Sequence, residues 1–259
     1  MSGREVLLEA RKLGVRIGER QICRGLDFRL HAGERLAILG RNGAGKSTLL
    51  SALAGLRPAN EGEVWLAGQP MQHYPARDAA RQRGWLGQHQ ADPFAATVLE
   101  TALAGRHPHL GRWEWENDAD REIALQALAA VGMNHLAARS MQQLSGGERQ
   151  RAAIATLLTQ APRLCLLDEP LAHLDLNHQI GVLELFSAKA RDEGVGVVMV
   201  LHDPGLAARY CDRVLLIYED GQTEEGPVER LLDSPRLTCL YGHPLQRVEV
   251  EGRCVFLPL

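Results

Sequence analysis

The chain has 259 residues, 45% of them hydrophobic and 24% charged, and a formal net charge of −3. That is enough apolar material for a sizeable core in one large domain or two lobes, and the acidic balance argues against a general nucleic-acid binder, which is usually basic. The five cysteines, Cys23, Cys165, Cys211, Cys239 and Cys254, are widely spaced and form no CxxC pair, which reads as a reduced compartment and not a disulfide framework. The N-terminal "MSGREVLLEARK" has no apolar core followed by a small-residue cleavage site, so no signal peptide is expected. The longest apolar runs, such as "VGVVMVL" at 195–201, fall short of the roughly 18 residues that span a bilayer.

In chain order, short apolar runs bounded by Gly, Asp or charged residues predict strands at 6–10, 26–30, 35–40 and 63–68. "RLAILG" leads through a glycine-rich turn into "KSTLLSALAGL", which has helical spacing and so completes a strand–loop–helix unit. From about 97 to 160 the pattern is helical. "DADREIALQALAAVG" sets Ile123, Leu125, Leu128 and Val131 along one side, with Asp118 and Asp120 near its start. After 160, strand and helix alternate again in "RLCLLDE", "LNHQIGVLELFSAKARDEG", "VGVVMVLHD" and "DRVLLIY". This alternation predicts an α/β fold, a mostly parallel sheet with helices on both faces, with the helical stretch inserted between its halves.

"GRNGAGKST" at 40–48 matches the phosphate-loop pattern at Gly40, Gly45, Lys46 and Ser47, between a strand and a helix as that pattern requires. Its glycines let backbone N–H groups of Asn42, Gly43, Ala44 and Gly45 turn inward around phosphate oxygens, and the following helix adds its positive end. Lys46 would reach the β- and γ-phosphates, Thr48 would assist, and the Ser47 hydroxyl would ligate Mg²⁺. A chance glycine turn is the alternative, and the strand–helix context argues against it.

An acidic partner is expected at a buried strand end, and "LCLLDEP" supplies Asp168 for Mg²⁺ and Glu169 to polarise the attacking water. By itself this pair could be an inert strand-to-loop acid pair. His202 ends another buried strand, where a lone histidine is often structural. The carboxyl ends of parallel strands meet at one sheet edge, so Lys46, Asp168 and His202 would share it and His202 would face the γ-phosphate. Gln88, in "WLGQHQ", is either a surface amide or a hinge residue touching Mg²⁺ or the water.

"LSGGERQR" at 144–151 places two glycines where a helix starts. Glycine costs about 1 kcal/mol against alanine in a helix. Either Ser145 is a simple cap, or an anion must approach the backbone of Ser145, Gly146 and Gly147.

Taken together, "GRNGAGKST", Gln88, "LSGGERQR", "LCLLDEP", "AHLD" (172–175) and "VLHD" resemble the ATP-binding subunits of ABC transporters, in that family's order and over nearly the whole chain. The resemblance implies a P-loop NTPase core with an antiparallel β lobe and an inserted helical lobe. It implies core segments 1–88 and 161–240, a helical lobe at 89–160 and a hairpin-like tail at 241–259. It also implies ATP hydrolysis with Mg²⁺ in a head-to-tail dimer. Ser145, Gly146 and Gly147 of one copy would face the γ-phosphate held by the other copy's Lys46, and Asp175 would lie at the seam. The family's adenine-stacking aromatic falls on Ile17 here, flanked by Arg16 and Arg20.

One cassette in the chain and a short span from Lys46 to Ser145 leave a transport subunit as the expectation, over ribosome-acting or DNA-repair relatives. "PFAATVLETALAGRHPHLGRWEWE" and the tail "LTCLYGHPLQRVEVEGRCVFLPL" resemble importers of cobalamin, iron–siderophores and haem, with cobalamin favoured. The partners implied are a second copy, transmembrane permease subunits and, indirectly, a periplasmic substrate-binding protein, with no nucleic acid. The implied location is peripheral, at the cytoplasmic face of the inner membrane. Trp113 and Trp115 are either buried in the helical lobe or beside the groove that receives a permease helix.

Overall fold

The structure, a computed structural model, describes residues 4–88, 96–111 and 113–259. An antiparallel sheet has the order β2-β1-β4-β5, built from β1 (Val6–Ile17), β2 (Arg20–His31), β4 (Glu61–Leu66) and β5 (Gln69–Pro70). β1 and β2 run 12 residues each, far beyond the apolar runs 6–10 and 26–30. Their ladder extends from Val6↔His31 to Ile17↔Arg20, with register shifts at Ala10/Leu13 and Leu13/Val15. Cross-strand hydrogen bonds carry the strands through charged outward residues, which an apolar-run reading treats as an end.

The second sheet has the order β10-β9-β3-β8-β7-β6. Its members are β3 (Arg35–Leu39), β6 (Arg83–Leu86), β7 (Leu164–Leu167), β8 (Gly196–Val200), β9 (Arg213–Ile217) and β10 (Thr223–Pro227), every adjacent pair parallel except β9 with β10. Alternate residues feed two cores. Leu36, Ile38, Leu166 and Val200 pack with the antiparallel sheet and with α1 (Lys46–Leu53). Ala37, Leu39, Leu167 and Met199 pack with α5 (Gly146–Gln160), α6 (Leu176–Glu193) and α7 (Pro204–Tyr210). Burial on both faces explains why β3, β7, β8 and β9 read as nearly unbroken apolar runs.

Between β3 and β7 the chain also forms α2 (Ala76–Gln82), α3 (Val98–Leu103) and α4 (Asp118–Ala130). Asn117 and Asp120 form a capping box at the start of α4. The buried side of α4 is Asp120, Ala124, Ala127 and Leu128, whereas Ile123 and Leu125, expected there, are half-buried. α4 packs on both α3 and α5, and small alanines let it lie close. Asp120 is tolerated inside because Arg106 pairs with it at 2.8 Å, which also holds its carboxyl below the usual aspartate range. Trp113 and Trp115 are each 87% exposed, which rules out their burial in the helical lobe.

Two short helices, α8 (Val228–Leu231) and α9 (Ser234–Tyr241), precede an antiparallel hairpin of β11 (Leu245–Val250) and β12 (Arg253–Pro258). Among the described residues, no helix is long and apolar enough to cross a membrane.

Candidate nucleotide site

The loop after β3 turns at Gly40 and enters α1 at Lys46, with Gly45 at the helix start. Gly45 has φ +98°, and a Cβ there would fall 2.5 Å from the Ile22 side chain, so only glycine fits. Asn42 and Gly43 are exposed, Ala44 is buried, and Ser47 and Thr48 are half-buried. The N-terminus of α1 carries no side-chain cap and no acidic residue in its first turn. The other helices of eight or more residues are capped by Asn117, Ser145, Asp175 and Asp233. α1 therefore presents free N–H groups and an uncompensated positive end, which suits an anion. Lys46 is 5% exposed, and its Nζ donates to the carbonyls of Gly40 at 2.9 Å and Arg41 at 3.0 Å. Burial pulls its pKa down.

The ends of β6, β7 and β8 converge on this lysine's edge. Ser47 Oγ donates to Asp168 Oδ1 at 2.8 Å, and the Asp168 amide donates to the Leu86 carbonyl at 2.8 Å. Asp168 is 3% exposed, and burial pushes its carboxyl upward. Glu169 sits at φ +50°, a left-handed conformation unusual outside glycine. Its carboxylate is held from two sides. Gln88 Nε2 donates to Oε2 at 3.0 Å, and His202 Nε2 lies 3.0 Å from Oε1. The structure thus brings together Lys46, Ser47, Asp168, Glu169, Gln88 and His202. Strain at a residue gripped by two partners is the pattern of a functional position.

The signature segment lies apart. Ser145 caps α5: its Oγ accepts from the Glu148 amide at 3.3 Å, and the Glu148 carboxylate accepts from the Ser145 amide at 2.8 Å. Asp175 caps α6, accepting from the His178 amide at 2.9 Å and pairing with His178 Nδ1 at 2.8 Å. That amide lowers the Asp175 pKa. A Cβ on Gly146 would make an ordinary contact with His173 at 3.5 Å, but one on Gly147 would lie 2.8 Å from the His173 carbonyl oxygen. The second glycine therefore has a reason within its own chain. Ile17 ends β1, is 45% exposed, and lies between exposed Arg16 and Arg20. Among the described residues, no hydrogen bond or ion pair joins Ser145, Asp175 or Ile17 to the Lys46 group.

Two contributors escaped the motif reading. His173, at φ +63°, backs the signature glycines, and Gln150 Nε2 donates to the Pro170 carbonyl at 3.0 Å, tying α5 to the segment after Glu169. The glycine pair signals that some backbone comes close, but not which one.

A strand-to-helix phosphate loop joined to an acidic strand end defines a P-loop nucleotide hydrolase. The ABC transporter family model matches residues 23–172. The haemin import ATP-binding protein HmuV of Nocardia farcinica is 42% identical, over 98% of this chain and 90% of that protein. The ferric enterobactin transport ATP-binding protein FepC of Escherichia coli K12 is 38% identical, over 97% and 94%. The petrobactin import ATP-binding protein FpuD of Bacillus anthracis is 39% identical, over 96% and 95%. A metal-chelate type ABC transporter in an inward-facing conformation superposes with a TM-score of 0.85 at 32% identity, over 98% of each chain. An ATP-binding cassette dimer holding ADP and phosphate superposes with a TM-score of 0.75 at 25% identity, over 86% of this chain and 99% of that one. The chain belongs to the ABC transporter family, as an ATP-binding, ATP-hydrolysing subunit.

Proposed function

We infer that this subunit drives import of an iron chelate of the haem or siderophore class. It works as a head-to-tail dimer on permease subunits at the cytoplasmic face of the membrane, fed by a periplasmic binding protein. The relatives above are named for haemin, ferric enterobactin and petrobactin, and none for cobalamin, so iron chelates take precedence over the cobalamin that the tail segment suggested. The segment at 93–116 that shared in that suggestion lies partly outside the described residues.

The observation that carries the catalytic reading is the Glu169 carboxylate held between Gln88 and His202. There Glu169 orients the attacking water, with Gln88 steering both, and His202 supports the γ-phosphate oxygens. Lys46 leaves the Gly40 and Arg41 carbonyls to pair with the β- and γ-phosphates, which sit among the amides of Asn42 to Thr48. The adjacent oxygens of Ser47 and Asp168 are hard donors suited to Mg²⁺, with Gln88 as a further ligand. When bound, the ion would neutralise charge on the phosphates. Ser145, Gly146 and Gly147 of the second copy close the site, with Asp175 at the seam and Ile17 beside the base. In this reading 1–88 and 161–240 form the core that holds nucleotide, 89–160 the lobe that closes on the partner's, and 241–259 a tail.

Uptake by proteoliposomes containing the permease and this subunit tests the substrate. ATP-dependent entry of haem or a ferric siderophore is expected. Uptake of cobalamin alone, or a subunit that never co-purifies with a permease, overturns the reading.

A further inference from the structure

α7, α8 and the β11–β12 hairpin line a half-open cavity of about 600 Å³. That lies within the range of small-molecule sites, roughly 300–1,000 Å³. Leu206, Val228, Leu232 and Phe256 form its apolar wall. Three arginines from three elements line it as well: Arg209 of α7, Arg247 of β11 and Arg253 of β12. Among the described residues none of the three is ion-paired. Arg209 lies over the Tyr210 ring at 4.9 Å, while Arg247 donates to the Leu232 carbonyl at 3.4 Å and to Cys254 Sγ at 2.9 Å. Of the two carboxylates in the lining, Asp203 is engaged in capping α7, and Glu229 is exposed and has no ion-pair partner among the described residues.

We propose that this cavity binds a small amphipathic anion. Its apolar body packs on the Leu206–Phe256 wall, and its acid group is held by the guanidinium groups, whose planar donors match a carboxylate. Hydration keeps each exposed arginine's contribution modest, so apolar burial and charge are both required. Occupancy reaches the nucleotide edge by two short paths. Asp203, in the cavity lining, directly follows His202. The Tyr241 hydroxyl at the end of α9 donates to the His202 carbonyl at 3.4 Å, and α9 packs on β11. A ligand tying the hairpin to α7 therefore changes turnover.

Cys254 lines the cavity and is a built-in reporter, while Cys239 is exposed outside it. Cys23, Cys165 and Cys211 are buried, their thiols pushed up to about 11, 12 and 12, so they alkylate slowly. The full chain is alkylated in the presence of octanoate, 1-octanol or inorganic phosphate. Octanoate is expected to slow Cys254 and leave Cys239 unchanged. Octanol should need about tenfold more for the same protection, and phosphate should give none. The double variant Arg209→Gln/Arg253→Gln should keep basal ATP turnover and raise the half-protecting octanoate concentration about tenfold. Equal protection by octanol or by phosphate, or an unchanged double variant, overturns the site. Turnover of the wild-type chain unmoved by saturating octanoate overturns its link to His202. Alkylation requires no permease, chelate or nucleotide, so the outcome is independent of the import reading.

Discussion

Two glycine-rich helix starts in this chain are finished in opposite ways. α1 begins after Gly45 with no side-chain cap, and the groups around it come from its own chain: Lys46 at the loop, Asp168, Glu169 and His202 at neighbouring strand ends. α5 begins at Gly146, after Ser145, with a full capping box, and among the described residues no hydrogen bond or ion pair joins Ser145 to the Lys46 group. The first site is assembled by a parallel sheet, which gathers the carboxyl ends of strands far apart in sequence. The second is a surface feature, stable alone, and in the proposed head-to-tail arrangement it would become a phosphate site opposite another copy. In that arrangement Ser145 would serve both conditions, because its cap fixes the helix end while the first-turn amides still lack intrahelical acceptors.

The largest expected effect breaks the first site. Glu169→Gln should keep nucleotide binding, which rests on the loop and Lys46, and lower turnover by about 10²–10³-fold. The trapped ATP should hold two copies together, read as a dimer by size-exclusion chromatography with ATP and Mg²⁺. A variant that binds ATP and stays monomeric would sink the head-to-tail arrangement.

Ser145→Arg attacks the second site. The cation fills the space an opposing γ-phosphate requires, so hydrolysis should fall on the order of a hundredfold while nucleotide binding to the monomer is unchanged. Loss of the cap itself costs only about 1 kcal/mol. Mixed with Lys46→Ala subunits, the variant should regain at most one composite site. Full activity of Ser145→Arg homodimers would return the segment to a cap and nothing more.

A smaller effect separates the two signature glycines. Gly147→Ala drives a Cβ to 2.8 Å from the His173 carbonyl, whereas Gly146→Ala makes an ordinary contact at 3.5 Å. Overpacking of that kind costs about 1–3 kcal/mol, and each kcal/mol lowers the Tm of a chain this size by about 2–4 °C. Thermal melts should show Gly147→Ala clearly destabilised and Gly146→Ala near wild type in stability, with hydrolysis impaired in both. Equal melting of the two would remove the internal role of Gly147.

The difference between the sites also decides what the sequence revealed. Asp168 and His202 were legible because each follows an unbroken apolar run, the mark of a strand buried on both faces, and Lys46 because the phosphate-loop pattern lies between such a run and a helix. The helices on both faces followed from the same alternation. The full length of β1 and β2 was hidden, since their outward charged residues break the run while the ladder continues. The inner face of α4 was misread at Ile123 because close helix packing favours Ala124 and Ala127, which carry little apolar signal. The grip of Gln88 and His202 on Glu169, and the backing of Gly147 by His173, depend on distances no spacing encodes.

The smallest effect concerns Ile17, which belongs to neither group of bonded residues. An aromatic face gives roughly 1–3 kcal/mol of base stacking and tolerates any base, because every base has a π-face. Ile17, 45% exposed at the end of β1, offers only dispersion and apolar contact. Affinity must then come mainly from the triphosphate on the α1 loop. ATP and GTP should bind the isolated subunit within about tenfold of each other, a gap of about 1.4 kcal/mol. Ile17→Tyr should tighten both nucleotides by a similar factor. Calorimetric or fluorescence titration of wild type and variant with both nucleotides reads this directly. A strong preference for ATP that survives Ile17→Tyr would assign base reading elsewhere. Arg16 and Arg20 are then the next to change, since both are exposed beside the β1–β2 turn and a guanidinium plane can stack on a base.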